Sequence, residues 1–209
     1  MSSEAAASAP RRAPVDRWLK PAVFVLCLLP LLWLPTLFLI YGFGANPIET
    51  GIRYLGDWAL RFLLIALAVT PLRIITGWLP IARLRRMLGL FAFTYVAFHV
   101  MAYVGLDQFF DWNAIGKDIV KRTYITFGMI SLVILIPLAI TSTDKMLRRL
   151  GGARWRQLHR LVYVAGVAAV IHYYFMVKAG QIQPLTYGAI LALLFAVRIY
   201  KWRARSKAA

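Results

Sequence analysis

Apolar residues run along this chain in six long blocks, about 21–41, 58–72, 88–106, 123–141, 158–177 and 184–200, separated by shorter polar stretches. None shows the alternation of a barrel strand. Each is close to the roughly 20 residues that a helix needs to cross a bilayer core of about 30 Å, except the second. That block is short as bounded here and extends either upstream through Tyr54 and Leu55 or downstream towards Ile75. Pro30, Pro35 and Pro137 fall inside blocks and should kink them, with neighbouring helices satisfying the freed carbonyls. The fold class predicted is all-α: a polytopic bundle of six transmembrane helices over 18–203. A disordered tail at 1–17 and a short basic tail at 204–209 flank it. Arg11 and Arg12 resemble a twin-arginine export signal. The apolar block behind them is too long for a signal core and lacks a small-residue cleavage site, so it is read as a retained first span.

Composition agrees with this reading: 61% of the 209 residues are hydrophobic. The net charge of +17 needs explaining. The stretches 42–57, 107–122 and 178–183 hold Arg53, Lys117, Lys121, Arg122 and Lys178 against Glu49, Asp57, Asp107, Asp111 and Asp118, a balance of zero. The N-terminal segment, 73–87, 142–157 and 198–209 hold nearly all the remaining cations against Glu4, Asp16 and Asp144. The positive-inside rule then places both termini and the two basic loops in the cytoplasm. The localisation expected is the bacterial inner membrane, with lipid as the surrounding partner. Topology accounts for the basic excess, so it does not point to nucleic acid. The single cysteine, Cys27, forms no disulfide framework and reads as a small buried apolar residue.

The candidate chemistry lies in three histidines, His99, His159 and His172. An imidazole at membrane depth needs a partner. His99 lies 11 residues into the third block and His172 14 residues into the fifth, about 16 and 21 Å from the cytoplasmic side at 1.5 Å per residue. Two imidazoles at similar depth on two helices suit the two axial positions of one heme iron, just beyond the midplane. His159 sits 13 residues before His172, at the cytoplasmic mouth. Two-heme membrane cytochromes pair histidines at that spacing on both helices. Here the positions 13 and 14 before His99 hold Arg86 and Arg85, so a second bis-histidine site is incomplete. With Arg154 and Arg156 these arginines form a cationic cluster near His159, suited to a flavin phosphate, a heme propionate or a quinone oxygen. His159 is also kept as an alternative iron ligand.

Phe91, Tyr95, Phe98, Tyr103, Tyr163, Tyr173, Tyr174 and Phe175 are placed to flank a porphyrin or to face lipid. Gly89, Gly105 and Gly166 are placed to admit a macrocycle or a neighbouring helix. Arg61 is either a propionate partner or a residue reaching for the headgroups.

The segments LGLFAFTYVAFH, TPLRIITG, RRMLGL and ITSTDKMLRRLGGARWRQLHRLVY resemble the MsrQ (YedZ) family, within the ferric-reductase-like transmembrane group. The resemblance spans nearly all of 18–203. It implies heme b, FMN, electrons drawn from the quinone pool, and a heterodimer with a periplasmic molybdopterin catalytic subunit, MsrP. In that system the chain is the electron-transfer subunit rather than the catalytic one. The residues alone imply only a membrane cytochrome. Two other classes compete with it: a standalone ferric or cupric reductase, and a non-redox transporter or assembly factor with structural histidines. The absence of a Rossmann glycine fingerprint argues against direct use of a nicotinamide. The absence of a carboxylate inside a predicted span argues against a proton-coupled pump.

Overall fold

The computed structural model describes residues 14–177 and 180–206. Residues 1–13 of the tail expected at 1–17, and the last residues of the basic tail, 207–209, lie outside it. Nine α-helices are present among the described residues: α1 (Pro14–Tyr41), α2 (Pro47–Thr76), α3 (Arg85–Ala102), α4 (Trp112–Lys121), α5 (Thr123–Ile140), α6 (Asp144–Leu150), α7 (Gly152–His159), α8 (Val162–Met176) and α9 (Gln183–Ser206). Six candidate spans result: α1, α2, the unit Leu79–Asp107 around α3, α5, α7 with α8, and α9. No strand occurs among the described residues.

Several boundaries differ from the expectation. Helix α1 begins at Pro14, inside the stretch read as an irregular tail. Helix α2 begins at Pro47, so most of the predicted loop 42–57 is helical. Asn46 accepts from the Glu49 N–H, and Pro47 occupies the first turn, where a missing N–H costs nothing. Both are local signals that a hydropathy window overlooks. Asp57 therefore lies within a span after all, with Arg61 one turn on at 3.9 Å. Helix α4 fills the loop 107–122 as a short amphipathic element, capped by Asp111. At the other end of the bundle, α6 and α7 fill 142–157. That end, with the 3₁₀ segment Leu79–Leu84, is the basic end of the bundle, and the opposite one is the far end.

The fifth span is not one uniform helix. At Arg160–Leu161 it tightens, with the N–H groups of Arg160, Leu161 and Tyr163 each reaching a carbonyl only three residues back. This sets α7 apart from α8.

The core runs between α2, which packs most extensively on α3, and α5, which packs most extensively on α8. Tyr95 is fully buried and donates from its hydroxyl to the Cys27 carbonyl at 2.9 Å. Cys27 is itself buried, as expected. The remaining surface is apolar along the spans: Leu39, Ile75 and Leu193 are among many large side chains left exposed, as lipid contact requires. A further proline, Pro71, lies inside α2. It cannot donate to the Leu67 carbonyl four residues back. Arg198 of α9 donates to that carbonyl instead, and also to the Tyr163 hydroxyl.

Candidate functional site

His99 and His172 come together. Their ring centroids are 6.2 Å apart and their planes are nearly perpendicular, at 81°. Each ring is oriented by the helix beside it. His99 Nδ1 lies 2.9 Å from the Ile52 carbonyl of α2, and His172 Nδ1 lies 2.6 Å from the Tyr124 carbonyl of α5. A carbonyl can only accept, so both Nδ1 atoms carry the proton. In the neutral ring this leaves the Nε2 lone pair of each histidine for another partner.

The seats are built alike. Ile52 lies four residues before Gly56, and Tyr124 four residues before Gly128. In each case the glycine leaves the helix surface bare beside the carbonyl, and the imidazole packs there. The carbonyl keeps its own helical bond and uses its second lone pair for the ring. These two glycines, rather than Gly89, Gly105 and Gly166, touch the site. Gly89 faces open space, Gly105 faces Phe110, and Gly166 packs against Leu67 and Leu191.

The site lies nearer the far end than the depth calculation placed it. Tyr124 is the second residue of α5, and His172 is four residues from the end of α8. The extra length is at the basic end, where the third span already begins at Leu79.

His159 stands apart from this pair, on α7. Its Nε2 is 3.0 Å from the Thr141 hydroxyl, which in turn donates to the Pro137 carbonyl at 2.6 Å. With that hydroxyl proton committed, His159 Nε2 is the donor, so in the neutral ring Nε2 offers no lone pair to a metal while this contact holds and Nδ1 carries it. Its ring stacks on Trp155, centroids 3.8 Å apart at 23°. Trp155 donates from its indole to the Thr141 carbonyl at 2.9 Å.

Of the two arginines singled out, Arg86 reaches the same cluster. It donates to Asp144 and its guanidinium lies over the Trp155 ring at 5.9 Å. That guanidinium holds the Asp144 carboxyl below its ordinary value. Arg85 is exposed and points to the Thr70 hydroxyl at 3.5 Å, a weak contact. Both act electrostatically on His159. Arg154 and Arg156 are exposed. Arg61 donates to the Tyr187 hydroxyl at 3.0 Å and lies over Trp58 at 4.9 Å.

The aromatic candidates divide. Tyr95 and Phe91 are core residues, Phe91 edge-on to Phe24. Tyr103 donates to Asp118 and Tyr173 to Gln183. Tyr163 lies under Arg198. Phe98 is partly exposed, and Tyr174 and Phe175 face outward, lining with Phe127 an apolar groove of about 620 Å³.

Residues 55–170 match the family described as ferric reductase like transmembrane component. The chain is 59% identical over 184 residues to the protein-methionine-sulfoxide reductase heme-binding subunit MsrQ of Rhodospirillum rubrum, covering 88% of each protein. It is 49% identical to the protein of the same name from Caulobacter vibrioides, covering 87% of this chain and 86% of that one. This chain belongs to the MsrQ family. The magnetosome protein MamZ of Magnetospirillum gryphiswaldense is 40% identical over 88% of this chain but only 29% of its own length. The same bundle thus also resembles part of a much larger protein. Within MsrQ relatives it corresponds to nearly the whole length.

Proposed function

We propose that this chain is the membrane electron-transfer subunit of a methionine-sulfoxide reductase system, with a b-type heme held by His99 and His172. The observation that carries this is the pair of rings 6.2 Å apart, each with Nδ1 hydrogen-bonded to a backbone carbonyl. His99 and His172 would hold the iron through their Nε2 atoms, and the 6.2 Å between their ring centroids would leave room for one metal ion at about 2 Å per metal–nitrogen bond. The donor set also fits. Two imidazoles alone leave a bare ion under-coordinated, and among the described residues no cluster of three or more His, Cys, Asp and Glu is placed to hold one. A porphyrin needs only the axial pair from the protein. When bound, heme supplies a one-electron iron couple. The chain's own part is to hold both rings in the Nδ1–H tautomer, to raise their basicity through the carbonyl contacts, and to exclude water with the surrounding apolar helices.

The charge asymmetry supports cytoplasmic termini in an inner membrane, which puts the His99 and His172 pair near the periplasmic face. A periplasmic molybdopterin subunit of the MsrP type would then accept electrons close to that pair. The basic end, where Arg86, Trp155 and His159 meet, is the proposed electron-input side. Its cation and stacked aromatic surface suit FMN or a quinone drawn from the membrane pool.

A reduced-minus-oxidised spectrum of the purified protein, with heme-to-protein stoichiometry, tests this reading. A low-spin b-type spectrum is expected, and His99→Ala or His172→Ala should each open an axial position and weaken heme retention. No Soret band in the wild type, or full unshifted low-spin spectra in both variants, would overturn it. Rapid reduction of ferric chelates without a protein partner would favour the standalone reductase.

A further inference from the structure

The two histidine seats share a construction that goes beyond ligand identity. A methyl group added at Gly56 would stand 3.0 Å from His99 Nδ1 and 3.1 Å from its Cε1. At Gly128 it would stand 2.9 Å from His172 Nδ1 and 3.1 Å from Cε1. Both are inside van der Waals contact, so each ring must give by at least a few tenths of an ångström. The first casualty is the Nδ1–H···O=C bond, because the carbonyl lies one helical turn from the glycine on the same face.

We infer that Gly56 and Gly128 are positioning residues that set the donor strength of His99 and His172 by letting each ring hydrogen-bond to the carbonyl of Ile52 or Tyr124. This inference rests on the heme ligation proposed above. A carbonyl accepting from Nδ1–H pushes electron density into the imidazole, which makes Nε2 a better donor and favours ferric over ferrous iron. Loss of the bond weakens the ligand and raises the midpoint potential. The two seats lie on separate helices, α2 and α5, and each governs one axial ligand. The device is doubled, at the same four-residue spacing, in two helix pairs that are themselves the most extensively packed in the bundle.

The test uses the full chain in detergent or nanodiscs, with Gly56→Ala, Gly128→Ala and, as control, Gly89→Ala, whose added methyl meets nothing within 4 Å. Redox titration and low-temperature EPR of the heme are the readouts, with size-exclusion profiles and circular dichroism to confirm folding. Each seat variant should lose heme about 10–100-fold more readily. Its midpoint should rise, by about 59 mV for each tenfold preferential loss of ferric binding, and its low-spin g values should shift. Gly89→Ala should match the wild type. If a seat variant fails to fold, pulsed EPR on the unmutated, ¹⁵N-histidine-labelled protein decides instead. Strongly hydrogen-bonded, exchangeable Nδ1 protons on both axial rings support the inference, and their absence overturns it. Folded seat variants with wild-type potential and g values also overturn it. A wild type without any bis-histidine signal would sink the ligation proposal itself, whereas histidine variants that lose heme together with glycine variants that change nothing would sink only this one.

Discussion

At the scale of single residues, the basic end is organised by Arg86. Its guanidinium holds the Asp144 carboxyl below the ordinary 3.8 while lying over Trp155. A carboxyl depressed in this way contributes its contact fully above its unfolded value. The contact is lost as pH falls through the folded value, so it should persist at all pH above about 4. In Arg85→Gln/Arg86→Gln, the Asp144 titration followed by ¹³C NMR should move up towards the ordinary value. If these cations also hold an anionic or electron-rich ligand, the same variant should keep its heme but bind quinol or flavin about tenfold more weakly, since a charge-assisted contact is worth about 1.5–3 kcal/mol. Unchanged reduction kinetics in a correctly inserted variant would leave only a role in topology. Arg86 was legible as a candidate from its offset to His99. Trp155, Thr141 and Asp144 were not, because they reach the cluster through tertiary contact.

At the scale of elements, α2 holds several parts of the bundle together. It carries Gly56 and Ile52 for one histidine seat, and Pro71 frees the Leu67 carbonyl that Arg198 of α9 satisfies. An Arg198→Met substitution leaves that carbonyl unpaired in a membrane interior. It should cost about 1–3 kcal/mol of stability, measured by unfolding in mixed detergent micelles. In Pro71→Ala the carbonyl regains its helical N–H, so Arg198→Met should cost less in that background. Equal costs in both backgrounds would show that Arg198 acts through Tyr163 alone.

For the whole molecule, the prediction concerns sidedness. A cysteine placed at the exposed Asn113 in α4 should react with an impermeant thiol reagent from the periplasmic side. Cys27 is 3% exposed and should not compete. Labelling only after permeabilisation would invert the proposed orientation and exchange the assigned roles of the two ends.

The number of spans and the all-helical class followed from the sequence, because a 20-residue apolar block has few other solutions in lipid. The pairing of His99 with His172 was also foreseeable from depth, since helical rise converts residue offset into distance. Helix ends were less legible: the start of α2 depends on Asn46 and Pro47, which a hydropathy pattern does not register. The construction of the site was decided by tertiary structure alone. Gly56 and Gly128 look like any helical glycine in the sequence, and Ile52 and Tyr124 contribute only their backbone carbonyls. A ring finds its seat only when α3 is laid on α2 and α8 on α5, because the contact belongs to two helices and neither sequence encodes it by itself.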